Sequence, residues 1–417
     1  GGGSQSTNER PDPTNYKDEN EAKEKMQTGE YAKIGDFIYT KDKDGNVVAL
    51  GKTLSIPAEK YTNNNTLDDD DVYCIFRNDT KDAPFIGFDA DEHKYYRGRP
   101  TLGDHYTPTF SKQDGADFEY IIPYVASNPG RVVKLSATLE GRLTDEYNKD
   151  SVKFIMPLSG GNYLALNAKK DGDKFIVDFP GGKNPDTNSD VYAIVKKGEK
   201  YVNVGKINIE TYAWRTQKVK IVPVVNDYGV DEKAISETLN RIYGRFGITY
   251  EVSKDETFKM IDIDADFINN FSVGTGIMTT QSGDMKRLQS YYKKARDFKD
   301  STAYMFLLKS AKENPSIEGD MPKGQICGYL FMHSDNGTLS DGRLVAHEIA
   351  HGIYKLSHVF EGAYGILENS TDNLLDYNNG DQLAHFQWEL IKNPGFAWAI
   401  FEKDEDNMFM TAFHWLE

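Results

Sequence analysis

Over residues 1–29 large apolar side chains are almost absent, and Asn, Asp, Glu, Lys, Gln and Pro dominate. Such a stretch cannot offset the entropy of ordering it and reads as a disordered tail or linker. From Tyr31 the pattern becomes short apolar runs separated by turns. Phe37-Ile38-Tyr39 and Val47-Val48-Ala49-Leu50 flank Lys43-Asp44-Gly45-Asn46, which predicts a hairpin turning at Asp-Gly and a small β unit over 30–110. Between 115 and 212, β-branched and aromatic runs recur every ten residues or so, with Gly, Asn and Asp clustered between them. This spacing predicts an antiparallel, Ig-like sandwich over 111–214.

At Lys218 the period changes. Residues 219–225 read as a buried strand, and Asp231 opens a helix with Ile235, Leu239, Ile242, Tyr243 and Phe246 on one face and Gly247 as its stop. A second strand (248–252), a helix from about Asp284, a strand at 303–308 and an edge strand at 325–332 follow. The expected architecture is multidomain, with a β-rich N-terminal half followed by an α+β domain over 215–417.

Length and composition narrow the function. A chain of 417 residues is long enough for two or three domains with real cores, and 38% hydrophobic content excludes disorder of the whole. The net charge of -16 would repel phosphate backbones and anionic lipid, so nucleic acid is excluded as a partner. No apolar run approaches the ~20 residues of a membrane span. The Gly-Gly-Gly-Ser start lacks a basic-then-apolar signal region and reads as a linker or processed start. Cys74 and Cys327 are too few for a disulfide framework or thiolate cluster and read as two buried free thiols.

The chemistry concentrates in Leu344-Val345-Ala346-His347-Glu348-Ile349-Ala350-His351. Two histidines four apart leave one helix face a turn apart and can share a metal, and Glu348 beside the first can reach a water in an open metal position. Downstream lies Asn373-Leu374-Leu375-Asp376-Tyr377. With the strand, helix and strand order upstream, these motifs make residues 218–394 resemble the zincin metallopeptidases, and the second motif is similar to the metzincin Met-turn. Two departures stand out: Leu375 occupies the Met position, and the tenth residue after His347 is Ser357, so that His358 comes one place late and Tyr354 stands where that family has Gly.

The resemblance implies a zincin domain over 215–417 with Zn2+ held by His347, His351 and a third ligand. His358 is the best candidate and Glu361 and Asp376 are its rivals, since a catalytic zinc takes three protein ligands and water. It implies Glu348 as general base and Tyr377 as a donor to the developing oxyanion. A regular helix would carry His358 roughly 10 Å past His351 along the axis, so the helix must break between Gly352 and Ser357, with Gly352 the expected hinge. The implied activity is that of a zinc-dependent endopeptidase acting on protein or peptide substrates. The layout resembles exported or toxin-type bacterial proteases, secreted or delivered into a target cell, with a delivery or immunity protein as a further partner. The alternatives are a binding or adhesion protein with a degenerate zincin domain, and a zymogen-like form in which 30–210 occlude the cleft.

Other features carry less. The acidic run Asp68 to Asp71 and the Asp42, Asp44, Asn46 spacing suggest calcium, but a solvated loop and a hairpin turn are the expected readings. Asp262, Asp264 and Asp266 alternate as on a strand edge. Cys74 as a latency ligand of the metal is the remaining cysteine reading.

Overall fold

In a computed structural model of the chain, residues 7–68, 71–91, 106, 120–259, 265–274, 280–361 and 364–394 are described. Two units emerge. The first comprises Gly1–Trp214, Arg245–Gly247 and Ala384–Phe386, and the second Arg215–Gly244, Ile248–Leu383 and Gln387–Glu417.

The first unit is β-rich. An eleven-stranded sheet and a four-stranded sheet share one apolar core, in which Val72, Phe76, Leu135 and Val177 of the smaller sheet meet Phe154, Met156, Val191 and Ile207 of the larger. Phe76 lies edge-on to Phe154 across the layers, with ring centroids 6.0 Å apart. The larger sheet is mixed rather than purely antiparallel, because Tyr124–Ser127 pairs in parallel with Lys200–Thr211. The hairpin forms as Phe37–Lys41 and Val47–Leu54, and Gly45 in its turn has φ 87°. This hairpin is not a separate β unit: Val47–Leu54 pairs with Tyr163–Leu166, so the segments read separately as 30–110 and 111–214 share the large sheet. Gly51 permits the junction. It sits at a bulge with φ 153°, and a Cβ there would lie 1.9 Å from the Ala165 carbonyl oxygen.

The polar start differs from the expected disordered tail. Thr7–Asn8 pairs with Thr187–Asn188, and Thr14–Asn15 with Ala32–Lys33. Between them Glu19–Lys25 is a helix capped by the Asp18 carboxylate, burying Ala22 against Met26 and Ala32. Backbone pairing to existing strands and one small apolar contact satisfy this segment, neither of which needs the large side chains that composition counts.

The second unit is built on a five-stranded sheet in the order Ile248–Lys254, Arg215–Pro223, Thr302–Leu308, Cys327–Phe331, Gly319–Asp320. The first four strands run parallel and the last antiparallel. The strand expected at the edge, Cys327–Phe331, is therefore interior, and all five of its residues are buried. The two-residue strand Gly319–Asp320 takes the edge instead. On one face Val222, Tyr304, Phe306 and Tyr329 pack with Met285, Leu288 and Tyr292 of the helix Gly283–Ala295. Helices Glu232–Tyr243 and Gly342–Gly352 pack against each other: a Cβ on Gly342 would lie 2.5 Å from Thr238 Cβ, and Tyr243 donates its hydroxyl to the Ala346 carbonyl at 2.6 Å. Asp231 and Asp341 cap these two helices by accepting the N–H of Ala234 and Leu344. Asp266, expected on a strand, lies in the helix Ala265–Asn269, and Asp262 and Asp264 fall outside the described residues. No helix among the described residues is long and apolar enough to cross a membrane.

The close approach at Gly51 is testable. Gly51→Ala is expected to destabilise the first unit by upwards of about 2 kcal/mol, because both φ and the Ala165 carbonyl oppose a side chain. Its urea midpoint, followed by fluorescence, should fall clearly below that of Gly35→Ala, where a Cβ meets nothing within 4 Å and only the φ of 62° is strained.

Candidate metal centre

His347 and His351 lie on the helix Gly342–Gly352, whose Val345, Ala346, Ile349 and Ala350 are fully buried. Their rings converge, with the two Nε2 atoms 3.0 Å apart. His358 joins them from beyond the helix, its Nε2 3.2 Å from that of His351. The ligand atoms of all three lie within 4.8 Å of one another, so His347, His351 and His358 could together hold a metal ion.

The other ring nitrogens show why a cation fits. His347 Nδ1 faces the Leu374 carbonyl at 2.9 Å, His351 Nδ1 the Leu356 carbonyl at 2.7 Å, and His358 Nδ1 the Glu361 carboxylate at 2.8 Å. All three partners accept, so each Nδ1 carries a proton, and the neutral rings of His347 and His351 present bare Nε2 lone pairs to each other. Two lone pairs facing at 3.0 Å cannot hydrogen-bond to each other. Protonating a ring to relieve them is opposed by burial, which pushes His347 down to about 4 and, with the neighbouring histidines, His351 well below the usual imidazole range. A metal ion coordinated by the Nε2 atoms removes the conflict.

The chain reaches His358 by a different route from the expected hinge. Gly352 keeps ordinary helical geometry. A Cβ there would lie 2.3 Å from Met321 Cγ, so its role is close packing. The reversal occurs at Lys355, with φ 58°, after which the Leu356 N–H bonds back to the Ala350 carbonyl at 3.0 Å. That wrap buries Leu356 and turns its carbonyl onto His351.

Glu361 and Asp376, the rival ligands, have other partners. Glu361 sits behind His358, and that hydrogen bond holds its carboxyl below the usual range. Asp376 is fully buried and accepts from the N–H groups of Asn369, Ser370, Thr371 and Tyr377 and from the Thr371 hydroxyl. It organises the turn after the helix. Burial alone would raise its carboxyl, but these donors outweigh that and hold it low.

Glu348 is buried, and its carboxyl is pushed well above the ordinary value by burial and then by nearby Asp320. It packs against the edge strand so tightly that a Cβ on Gly319 would lie 2.6 Å from its Oε1. Tyr377 is half exposed, with its ring centroid 5.1 Å from that of His358 and 6.3 Å from that of His347. Burial and the charges of Glu361, Glu368 and Glu348 raise its phenol, which keeps it a donor at neutral pH. Leu375, in the Met position of the compared motif, is fully buried.

The remaining candidates have surroundings of their own. Cys74 lies inside the core of the first unit with its thiol raised by burial, and Cys327 is buried with its thiol pushed up to about 12; both are free. A buried neutral thiol in a sandwich core is not placed to act as a latency ligand. Asp42 accepts the N–H groups of Asp44 and Asn46 as a hairpin turn. Asp68 accepts the Asn203 N–H, and residues 69–70 of the acidic run lie outside the described set. Residue-type reasoning passed over the carbonyls of Leu374 and Leu356, which every residue possesses, and over Gly319 and Asp320, whose role arises only from strand placement.

Two outcomes check this geometry. His358→Ala should remove a donor and strip the metal, while Glu361→Gln should weaken binding by about 10–100-fold without abolishing it, read by chelator competition. Asp320, unlike the histidines, offers a stability test. Burial raises its carboxyl from 3.8 to about 6, so its charged form costs folding energy that appears as pH rises through that range. In metal-free protein, Asp320→Asn should leave stability unchanged near pH 3.5 and raise it by about 1–3 kcal/mol at pH 7.5.

Comparison of the sequence with protein-family models and with curated proteins gives no match.

Proposed function

We propose that this chain is a zinc-dependent endopeptidase with His347, His351 and His358 as the metal ligands. The observation that carries the reading is the convergence of three Nε2 atoms, each ring anchored by an acceptor at Nδ1, with Glu348 next to the first ligand in the helix. The donor set favours zinc: three neutral imidazoles without a thiolate suit it and leave a fourth position open. Nitrogens on a tetrahedral zinc at about 2.0–2.1 Å per bond lie roughly 3.3 Å apart, close to the 3.0 and 3.2 Å separations here.

Zinc bound there would supply a Lewis acid that acidifies a water and polarises a peptide carbonyl. The chain's own residues do the rest. Glu348 takes a proton from the attacking water and returns it to the leaving amine, and burial raises its proton affinity above that of an ordinary carboxylate. Tyr377, protonated and beside His358, donates to the oxyanion as it develops. The Leu374 and Leu356 carbonyls and the Glu361 carboxylate hold the three rings in one tautomer.

Purified protein should carry about one equivalent of zinc by elemental analysis, as a three-ligand site requires. Glu348→Gln should keep the zinc and the fold but lower hydrolysis of an unstructured protein such as casein by roughly 10²–10⁴-fold. Full turnover by that variant would remove Glu348 as the base. Failure of the wild type to take up zinc would remove the whole reading.

A further inference from the structure

Arg343 lies four residues before His347 on the same helix, so its side chain leaves the face that carries the first ligand. Its half-buried guanidinium is spent on carbonyls of a single turn. Nε donates to the Gly380 carbonyl at 2.8 Å, and one Nη donates to those of Asp376 at 2.8 Å and Leu374 at 3.2 Å. The Leu374 oxygen is the same atom that accepts from His347 Nδ1 at 2.9 Å. One carbonyl, with two lone pairs, therefore joins the guanidinium to the ring. The turn's other bonds run within it or to segments other than the motif helix: the Asp376 carboxylate gathers 369–371, Asn373 Oδ1 accepts from the Leu375 N–H, the Leu375 carbonyl accepts the Val359 N–H, and Asn373 Nδ2 donates to Gln387 Oε1. These shape the turn without tying it to the helix.

We infer that Arg343 is a positioning residue of the histidine centre: it clamps the 374–380 turn to the motif helix, so that the Leu374 carbonyl fixes the His347 ring and Tyr377 stays beside His358. This role rests on the zinc reading above. A planar fork can reach three carbonyls of one turn at once. A lysine ammonium, a point charge on a flexible stem, cannot reproduce that pattern.

The test compares wild type, Arg343→Lys and Arg343→Ala. Zinc affinity is measured by chelator competition, the ligand field by the visible spectrum of the Co2+-loaded protein, and folding by the thermal midpoint of the metal-free protein. Both variants are expected to bind zinc about 10–100-fold more weakly and to show an altered Co2+ band, as loss of an outer hydrogen bond to a ligand requires. Millimolar methylguanidinium should recover affinity in Arg343→Ala and not in wild type. A purely structural role would lower only the metal-free midpoint. If folded variants bind zinc within about threefold of wild type with an unchanged Co2+ spectrum, the inference is overturned. Should Arg343→Ala fail to fold, Arg343→Lys decides by the same two readouts. Wild type that takes up no zinc would refute the zinc reading itself, whereas a loaded wild type with unchanged variants would remove only the role of Arg343.

Discussion

Three imidazole rings held with their Nε2 atoms close together are the constraint around which this part of the second unit is arranged. Nε2 atoms at 3.0 and 3.2 Å require that something else fix the rings, and each ring has such a support: the Leu374 carbonyl, the Leu356 carbonyl and the Glu361 carboxylate. Those supports come from three different pieces of backbone. The turn after residue 370, the chain reversal after the motif helix and the loop carrying His358 must therefore all be in place for the centre to exist. A site made this way is set by tertiary packing as much as by its ligands.

The chain reversal shows how packing chose among local options. Gly352 is the residue whose intrinsic freedom most suggests a break, yet it stays helical, and Met321 occupies the space a side chain there would need. Lys355 takes the left-handed conformation instead, at a cost the surrounding contacts must outweigh. Its reversal brings His358, seven residues after His351, back to within 3.2 Å of it. A break at Gly352 would have left Leu356 free of the Ala350 carbonyl and its own carbonyl without a fixed aim at His351.

The same competition between local signal and packing runs through the first unit. A polar segment before residue 30 gains a helix and two short strands because neighbouring strands offer unpaired backbone and because Ala22 needs only a small pocket. The hairpin after Tyr31 joins the large sheet because Gly51 lets its backbone approach the Ala165 carbonyl. What looked like separate modules along the chain is one layered core, filled from both sheets by Phe76, Phe154, Phe175 and Phe179.

By itself the sequence determined the periods and caps. Alternation and turn chemistry specified the strands of the first half, and a 3.6-residue stripe with Asp231 ahead of it specified the helix Glu232–Tyr243. The i, i+4 spacing put His347 and His351 on one face, because helix geometry leaves no other arrangement. Only the tertiary structure decided the third member and its supports. His358 comes into reach through a left-handed Lys355 that no local propensity favours, Glu361 ends behind it rather than beside it, and Asp376 is consumed by the donors of its own turn. The edge of the sheet passed from Cys327–Phe331 to Gly319–Asp320 for a similar reason: two residues have too little pattern to read, yet their backbone pairing and the absence of a side chain at Gly319 place Glu348. Periodicity is a property of neighbours along the chain, whereas carbonyl acceptors, close glycine approaches and the Arg343 clamp are relations between distant segments, and those exist only once the chain has folded.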